Sequence, residues 1–291
     1  MSGTPSSFPD RLAAAVRQTG VPACVGLDPH PERLPEHLAH GLHPADAARA
    51  FCLDAIEAVA GVVPAVKPQV AFFEALGSPG LAALEAVVRG ARDAGLLVIL
   101  DAKRGDIGST AEAYARGTLD DAGPLGCDAV TLSPYLGPES LTPFLARCDR
   151  EGKGVFVLVR TSNPGAEAWQ VAGPDPVADR IGSWVEAESA RRAGDHGLGP
   201  VGAVIAATVP AEAAHWRALM PHSWFLVPGF GAQGGGVEDV RALFRDDGLG
   251  ALIVSARGVL FPPGRTADPD WKKGIAIRAR GFAQQVASLG P

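Results

Sequence analysis

Leu96-Leu97-Val98-Ile99-Leu100-Asp101-Ala102-Lys103-Arg104-Gly105-Asp106-Ile107 is the stretch that decides how this chain reads. Five aliphatic residues follow Gly95 and run without a break into a carboxylate, an ammonium and a second carboxylate. A short apolar run with no polar alternation suits a strand buried on both faces, as in a parallel sheet covered by helices. If the strand continues past Leu100, Asp101 and Lys103 emerge on the same face, because side chains alternate with a period of two. Charges at the end of a buried strand are costly to desolvate unless they pair, and arrays of this kind shift the pKa values of their members.

The same unit recurs along the chain. Candidate strands lie at 23–27, 65–68, 96–102, 129–132, 154–160, 201–206, 224–227 and 251–254. Helix-length amphipathic segments lie at 45–59, 79–94, 109–122, 139–147, 176–193, 211–220 and 237–244, with one more at 10–18 before the first strand and another at 270–289 after the last. Ser109 with Glu112 has capping-box spacing, Asp10 stands where an N-cap would, and Gly61, Gly95 and Gly123 stand where helices should end. Eight strand–helix units predict an α/β fold, a (β/α)8 TIM barrel forming a single domain over 1–291, with residues 1–8 as a flexible N-terminus. The Pro- and Gly-rich stretches 28–44 and 161–176 read as long loops after strands one and five.

Composition agrees. With 47% hydrophobic and 20% charged residues over 291 positions, and a mean hydropathy of +0.12, the chain has enough apolar surface for a large core. A net charge of −6 argues against a general nucleic-acid binder and leaves room for a local cationic pocket. Cys24, Cys52, Cys127 and Cys148 form no C-x-x-C pair and read as reduced core thiols. No basic n-region precedes an apolar segment, and no apolar run nears the roughly 18 residues of a membrane span, so a cytoplasmic location is expected.

In a barrel the chemistry gathers at the C-terminal ends of the strands. Asp28 ends strand one, Lys67 stands in Val66-Lys67-Pro68-Gln69 at strand two, and Asp101, Lys103 and Asp106 follow strand three. Lysine is scarce, Lys67, Lys103, Lys153, Lys272 and Lys273 being the full set, and two of these five sit at strand ends. After strands seven and eight come Pro228-Gly-Phe-Gly-Ala-Gln233-Gly-Gly-Gly236 and Ser255-Ala-Arg257-Gly258. Glycines let backbone N–H groups approach an anion, Gln233 adds a neutral donor and Arg257 a charged fork, which together suit a phosphate. His37 and His40 lack a third ligand and read as solvated, His30 as a loop residue, and Tyr135 is open between rim packing and substrate contact. No metal site is expected.

The ordered set Val66-Lys67-Pro68, Asp101-x-Lys103-x-x-Asp106-Ile107, Thr161-Ser162-Asn163-Pro164-Gly165-Ala166, Pro228-Gly-x-Gly-Ala-Gln233-Gly-Gly and the late Arg257 resembles the orotidine 5′-phosphate decarboxylase family. Gly26-Leu27-Asp28-Pro29 and Phe72-Phe73-Glu74 place the resemblance in its longer bacterial branch, and it spans roughly 24–261. It implies cofactor-free decarboxylation of orotidine 5′-phosphate to uridine 5′-phosphate. Lys103 would be the proton donor, Asp101 and Asp106 would flank it, and Lys67 would complete the charge chain. Asp28 and Lys67 would contact ribose, Ser162 the pyrimidine amide, and Gln233 and Arg257 the phosphate. The resemblance further implies a homodimer in which Asp106, Ile107 and Thr110 serve the neighbouring subunit's site. Two alternatives are a Mg-dependent sugar-phosphate lyase of the same barrel type and a non-catalytic phosphate-binding barrel.

Overall fold

The structure, a computed structural model, describes residues 6–231, 236–261 and 270–291. Its chain order is α1 (Phe8–Thr19), β1 (Ala23–Leu27), α2 (Glu36–Gly41), α3 (Pro44–Val59), β2 (Ala65–Pro68), α4 (Val70–Glu74), α5 (Gly77–Asp93), β3 (Leu97–Arg104), α6 (Gly108–Leu119) and β4 (Ala129–Leu132). There follow α7 (Thr142–Glu151), β5 (Gly154–Arg160), α8 (Val177–Ala190), β6 (Gly199–Ile205), α9 (Ala213–Leu219), β7 (Ser223–Val227), α10 (Val237–Arg241), β8 (Ala251–Ser255), α11 (Arg257–Leu260) and α12 (Trp271–Val286). The eight strands pair in sequence order, all parallel, and β8 returns to β1 to close the barrel. Four strands have the bounds read from the sequence; the others differ at their ends, and β3 extends to Arg104.

The period of two sorts each strand between two layers. Val25, Val66, Leu100, Val130, Val157, Phe225 and Ile253 belong to the cluster shared with the outer helices. Cys24, Ala65, Ile99, Ala129, Phe156, Val204, Trp224 and Leu252 form a second cluster with Phe8, Leu12, Ala13 and Val16 of α1. The second cluster is the barrel interior, and α1 closes its N-terminal end. Small residues make the interior fit: a Cβ on Gly202 would lie 2.6 Å from the Trp224 carbonyl oxygen and 2.7 Å from the Phe156 ring.

Two capping expectations are corrected, and the N-terminal stretch is described in part. Of the stretch 1–8 expected to be flexible, residues 1–5 lie outside the described residues, and Phe8 is buried edge-on against Phe156 with ring centroids 6.0 Å apart. Ser7, not Asp10, caps α1, its Oγ accepting the Asp10 N–H at 3.4 Å. Ser109 caps nothing, because α6 already starts at Gly108, and Glu112 instead receives both terminal nitrogens of Arg147 at 2.7 and 2.5 Å. Short helices α2, α4 and α11 lie between the expected elements; at six, five and four residues they are too short to show a period. All four cysteines are free and buried, as expected. Among the described residues no helix is long and apolar enough to cross a membrane.

Because Phe8 fills the barrel floor, Phe8→Ala should cost about 3–5 kcal/mol of unfolding free energy, measured by denaturant titration. A mobile tail would lose almost nothing.

Candidate active site

Alternation places the polar residues. Two positions beyond interior Ala65, Ile99 and Ala129 come Lys67, Asp101 and Thr131, all buried at the C-terminal mouth of the barrel. The Asp101 carboxylate is the hub. Lys67 Nζ donates to its Oδ2 at 2.5 Å and Lys103 Nζ to its Oδ1 at 2.5 Å. Gln69 Nε2 adds a bond to Oδ2 and the Thr131 hydroxyl one to Oδ1, each at 3.0 Å. Burial works against ionisation of Asp101, yet Lys67 and Lys103 outweigh it and hold its pKa down to about 2. Burial likewise opposes the charge on Lys67, and Asp101 with Asp28 overcomes it, so its pKa is raised.

The two ammonium groups are not equivalent. The side chain of Lys67 is 8% exposed and that of Asp101 9%, whereas Lys103 is 48% exposed. Lys103 is thus the charge presented outward, anchored from below. Its backbone is unusual, with φ +46, the only positive φ on a non-glycine residue among those described. This conformation costs on the order of 1–2 kcal/mol. It coincides with a break in register between β3 and β4, from Leu100 to Arg104. Thr131 fills the break: its Oγ1 accepts the N–H groups of Ala102 and Lys103 at 3.0 and 2.9 Å while donating to Asp101. The strand bulges so that the lysine can turn back onto its own aspartate.

Asp28 lies at the end of β1 with its Oδ1 buried and unpartnered among the described residues. Burial raises its pKa, and Lys67 offsets part of that rise. A buried acceptor without a donor is a place for a ligand hydroxyl. Around Lys67, Asp101, Lys103 and Thr131 opens a cavity of about 460 Å³, lined also by Ser162, Asn163, Gln170 and Pro228, of the size that small-molecule sites have.

Not every expected residue meets the others. Asp106 accepts its neighbour Ile107's N–H at 2.8 Å and has no ion-pair partner among the described residues, so the chain does not bring it to its own Lys103. Ile107 is 57% exposed, and Thr110 is exposed too. Arg257 is exposed at the start of α11 and likewise has no carboxylate partner among the described residues. Gln233 lies outside the described residues. His30 packs on Phe72, ring centroids 4.4 Å apart, and Tyr135 is 79% exposed. His37 and His40 are exposed on α2, and no three His, Cys, Asp or Glu among the described residues cluster as metal ligands would.

Three residues of the site, Gln69, Thr131 and Gln170, stand outside the motifs of the sequence. The alternation rule applied two positions past Ala129 would have found Thr131. Gln170 carries no such signal, because a π-helical turn over Glu167–Val171 carries it back to the cavity.

The model of the orotidine 5′-phosphate decarboxylase / HUMPS family matches residues 22–266. Orotidine 5′-phosphate decarboxylase from Rhodopirellula baltica is 47% identical over 267 residues, 88% of each chain. The structure of Leishmania donovani OMP decarboxylase aligns at TM-score 0.76 and 35% identity, covering 97% of this chain and 98% of that one. A Streptomyces avermitilis crystal structure aligns at TM-score 0.84 and 36% identity, covering 99% and 97%. With the match running through all eight strands and both strand-end lysines, this chain belongs to the orotidine 5′-phosphate decarboxylase / HUMPS family.

Proposed function

We propose that this chain decarboxylates orotidine 5′-phosphate to uridine 5′-phosphate and CO2, the last step of de novo uridine 5′-phosphate synthesis, in the cytoplasm and without a cofactor. The observation that carries the reading is the Lys67–Asp101–Lys103 array, in which one carboxylate holds two ammonium groups and offers one of them to the cavity. When the bond from C6 to the carboxylate breaks, its electron pair stays on C6 in an sp2 orbital that no π system can delocalise. Fixed charge must stabilise it. The Lys103 ammonium lowers the energy of that developing charge and then transfers a proton from Nζ to C6, leaving an amine that solvent reprotonates. Asp101, kept anionic by its lysines, keeps Lys103 both charged and in place.

Asp28 and Lys67 would receive the ribose hydroxyls, Ser162 the pyrimidine amide, and Arg257 with Gln233 the phosphate. Among the described residues the buried Asp28 oxygen has no partner and Arg257 no carboxylate, which supports those roles. Binding energy from the phosphate, remote from C6, can then be used to close the site. A Mg-dependent lyase would need carboxylate oxygens free for the cation. Here both Asp101 oxygens are taken by lysines, which favours decarboxylation by fixed charge over the metal route.

We further propose a homodimer in which Asp106, Ile107 and Thr110 complete the neighbouring site. Asp106, which has no counter-ion among the described residues, supports this, as do exposed Ile107, Tyr114, Tyr135 and Leu136 beyond β3 and β4. Large apolar side chains so placed suit burial against a second copy.

Lys103→Ala, shown folded by circular dichroism, should lose at least roughly a thousandfold in kcat/KM, about 4 kcal/mol. Near-normal turnover would remove Lys103 from the mechanism. Mixing inactive Lys103→Ala with inactive Asp106→Asn tests the shared site. After subunit exchange about half the dimers are mixed, each with one intact site, so about a quarter of wild-type activity should return. No recovery, after mass spectrometry has confirmed exchange, would place Asp106 at its own chain's site.

A further inference from the structure

Ser162 and Asn163 line the same cavity as Lys103, from a stretch, 161–176, with no strand or long helix to hold it. Proline and glycine at 164 and 165 add no side-chain tether. Two anchors nevertheless fix it. Arg160, 2% exposed at the end of β5, donates from Nη2 to Glu167 at 2.7 Å and from Nε and Nη2 to Glu212 at 3.0 and 3.1 Å. Glu212 in turn accepts the Trp216 indole N–H at 3.1 Å. This anchor ties the start of the π-helical turn to the rigid sheet.

The second anchor is Gln170. Trp169 is exposed, but the next residue turns into the cavity, where its Oε1 accepts the Thr161 backbone N–H at 2.9 Å and its Nε2 donates to Thr161 Oγ1 at 2.7 Å. One amide therefore grips both polar groups at the root of the loop. Since Thr161 Oγ1 accepts from Gln170, its own proton goes to Asn163 Oδ1 at 2.6 Å. With its oxygen committed, Asn163 is left with Nδ2, which has no acceptor among the described residues. The chain Gln170, Thr161, Asn163 thus runs in one direction and ends in a free donor at the cavity wall.

We propose that Gln170 is a positioning residue that sets the base-reading face of this site: through Thr161 it fixes Asn163 as a hydrogen-bond donor to a carbonyl oxygen of the pyrimidine. This rests on the functional reading above. Gln170 touches no reacting atom, and Lys67, Asp101 and Lys103 do not depend on it. Its loss should therefore impair recognition of the base while sparing both the charge array and binding of the sugar phosphate.

The test compares uridine 5′-phosphate with ribose 5-phosphate, which lacks the base, by calorimetric titration, alongside steady-state turnover of orotidine 5′-phosphate. Gln170→Ala should weaken uridine 5′-phosphate by roughly tenfold, raise KM by a similar factor, and leave ribose 5-phosphate affinity within about twofold. Thr161→Val, which removes the relaying hydroxyl, should do the same, and Thr161→Ser should restore wild-type selectivity, so the test survives if one variant fails to fold. Unchanged uridine 5′-phosphate affinity in both variants overturns the proposal. So does equal loss of both ligands, which is the mark of a purely structural role. A wild-type protein that turns over no orotidine 5′-phosphate would instead overturn the functional reading itself.

Discussion

Both oxygens of the Asp101 carboxylate accept ammonium protons, and that double pairing sets conditions for the rest of the mouth of the barrel. A carboxylate this buried cannot stand alone, and neither can Lys67 beneath it: removing one partner of such a pair typically costs about 3–5 kcal/mol. Satisfying the carboxylate from one side by β2 and from the other by β3 forces Lys103 out of regular strand geometry. The resulting bulge needs a substitute for the lost ladder bonds, and Thr131 of β4 supplies it. Three adjacent strands are thus committed to one charge cluster. The consequence for stability has a definite sign. Since the Asp101 pKa falls on folding, its contribution is present above its ordinary value near 3.8 and is lost as pH drops toward about 2.

The barrel divides the labour along its axis. At the floor, α1 and the first interior layer are apolar, and Phe8, Phe156 and Trp224 are packed together and buried. At the mouth, interior positions become polar and the loops bring ligand-facing groups inward. A packed apolar floor under a cluster of fixed charges suits electrostatic stabilisation of a localised carbanion, because dipoles that had to reorganise would return much of the gain.

Much of this was legible in the sequence: eight short unbroken apolar runs, each followed by a helix-length segment, state the fold, and the period of two within a strand states which polar residues face inward. Asp101 and Lys67 follow from it directly. The same rule, carried two residues past Ala129, reaches Thr131. What alternation cannot reach is anything that depends on irregular backbone. The positive φ at Lys103, the return of Gln170 by a π-helical turn and the capture of Glu112 by Arg147 in place of capping α6 are all tertiary outcomes. Asp106 is a different case. Its residue type and spacing mark it, but among the described residues it has no ion-pair partner, so the fold of one chain leaves it uncommitted.

The central claim is that fixed charges, with no metal, drive loss of CO2 from a pyrimidine nucleotide. It is tested most directly by following ultraviolet absorbance when orotidine 5′-phosphate is added to purified protein in excess EDTA, with the product identified as uridine 5′-phosphate. The account predicts full turnover that added Mg²⁺ does not increase. Absence of any absorbance change, or activity that appears only on adding a divalent cation, would contradict it.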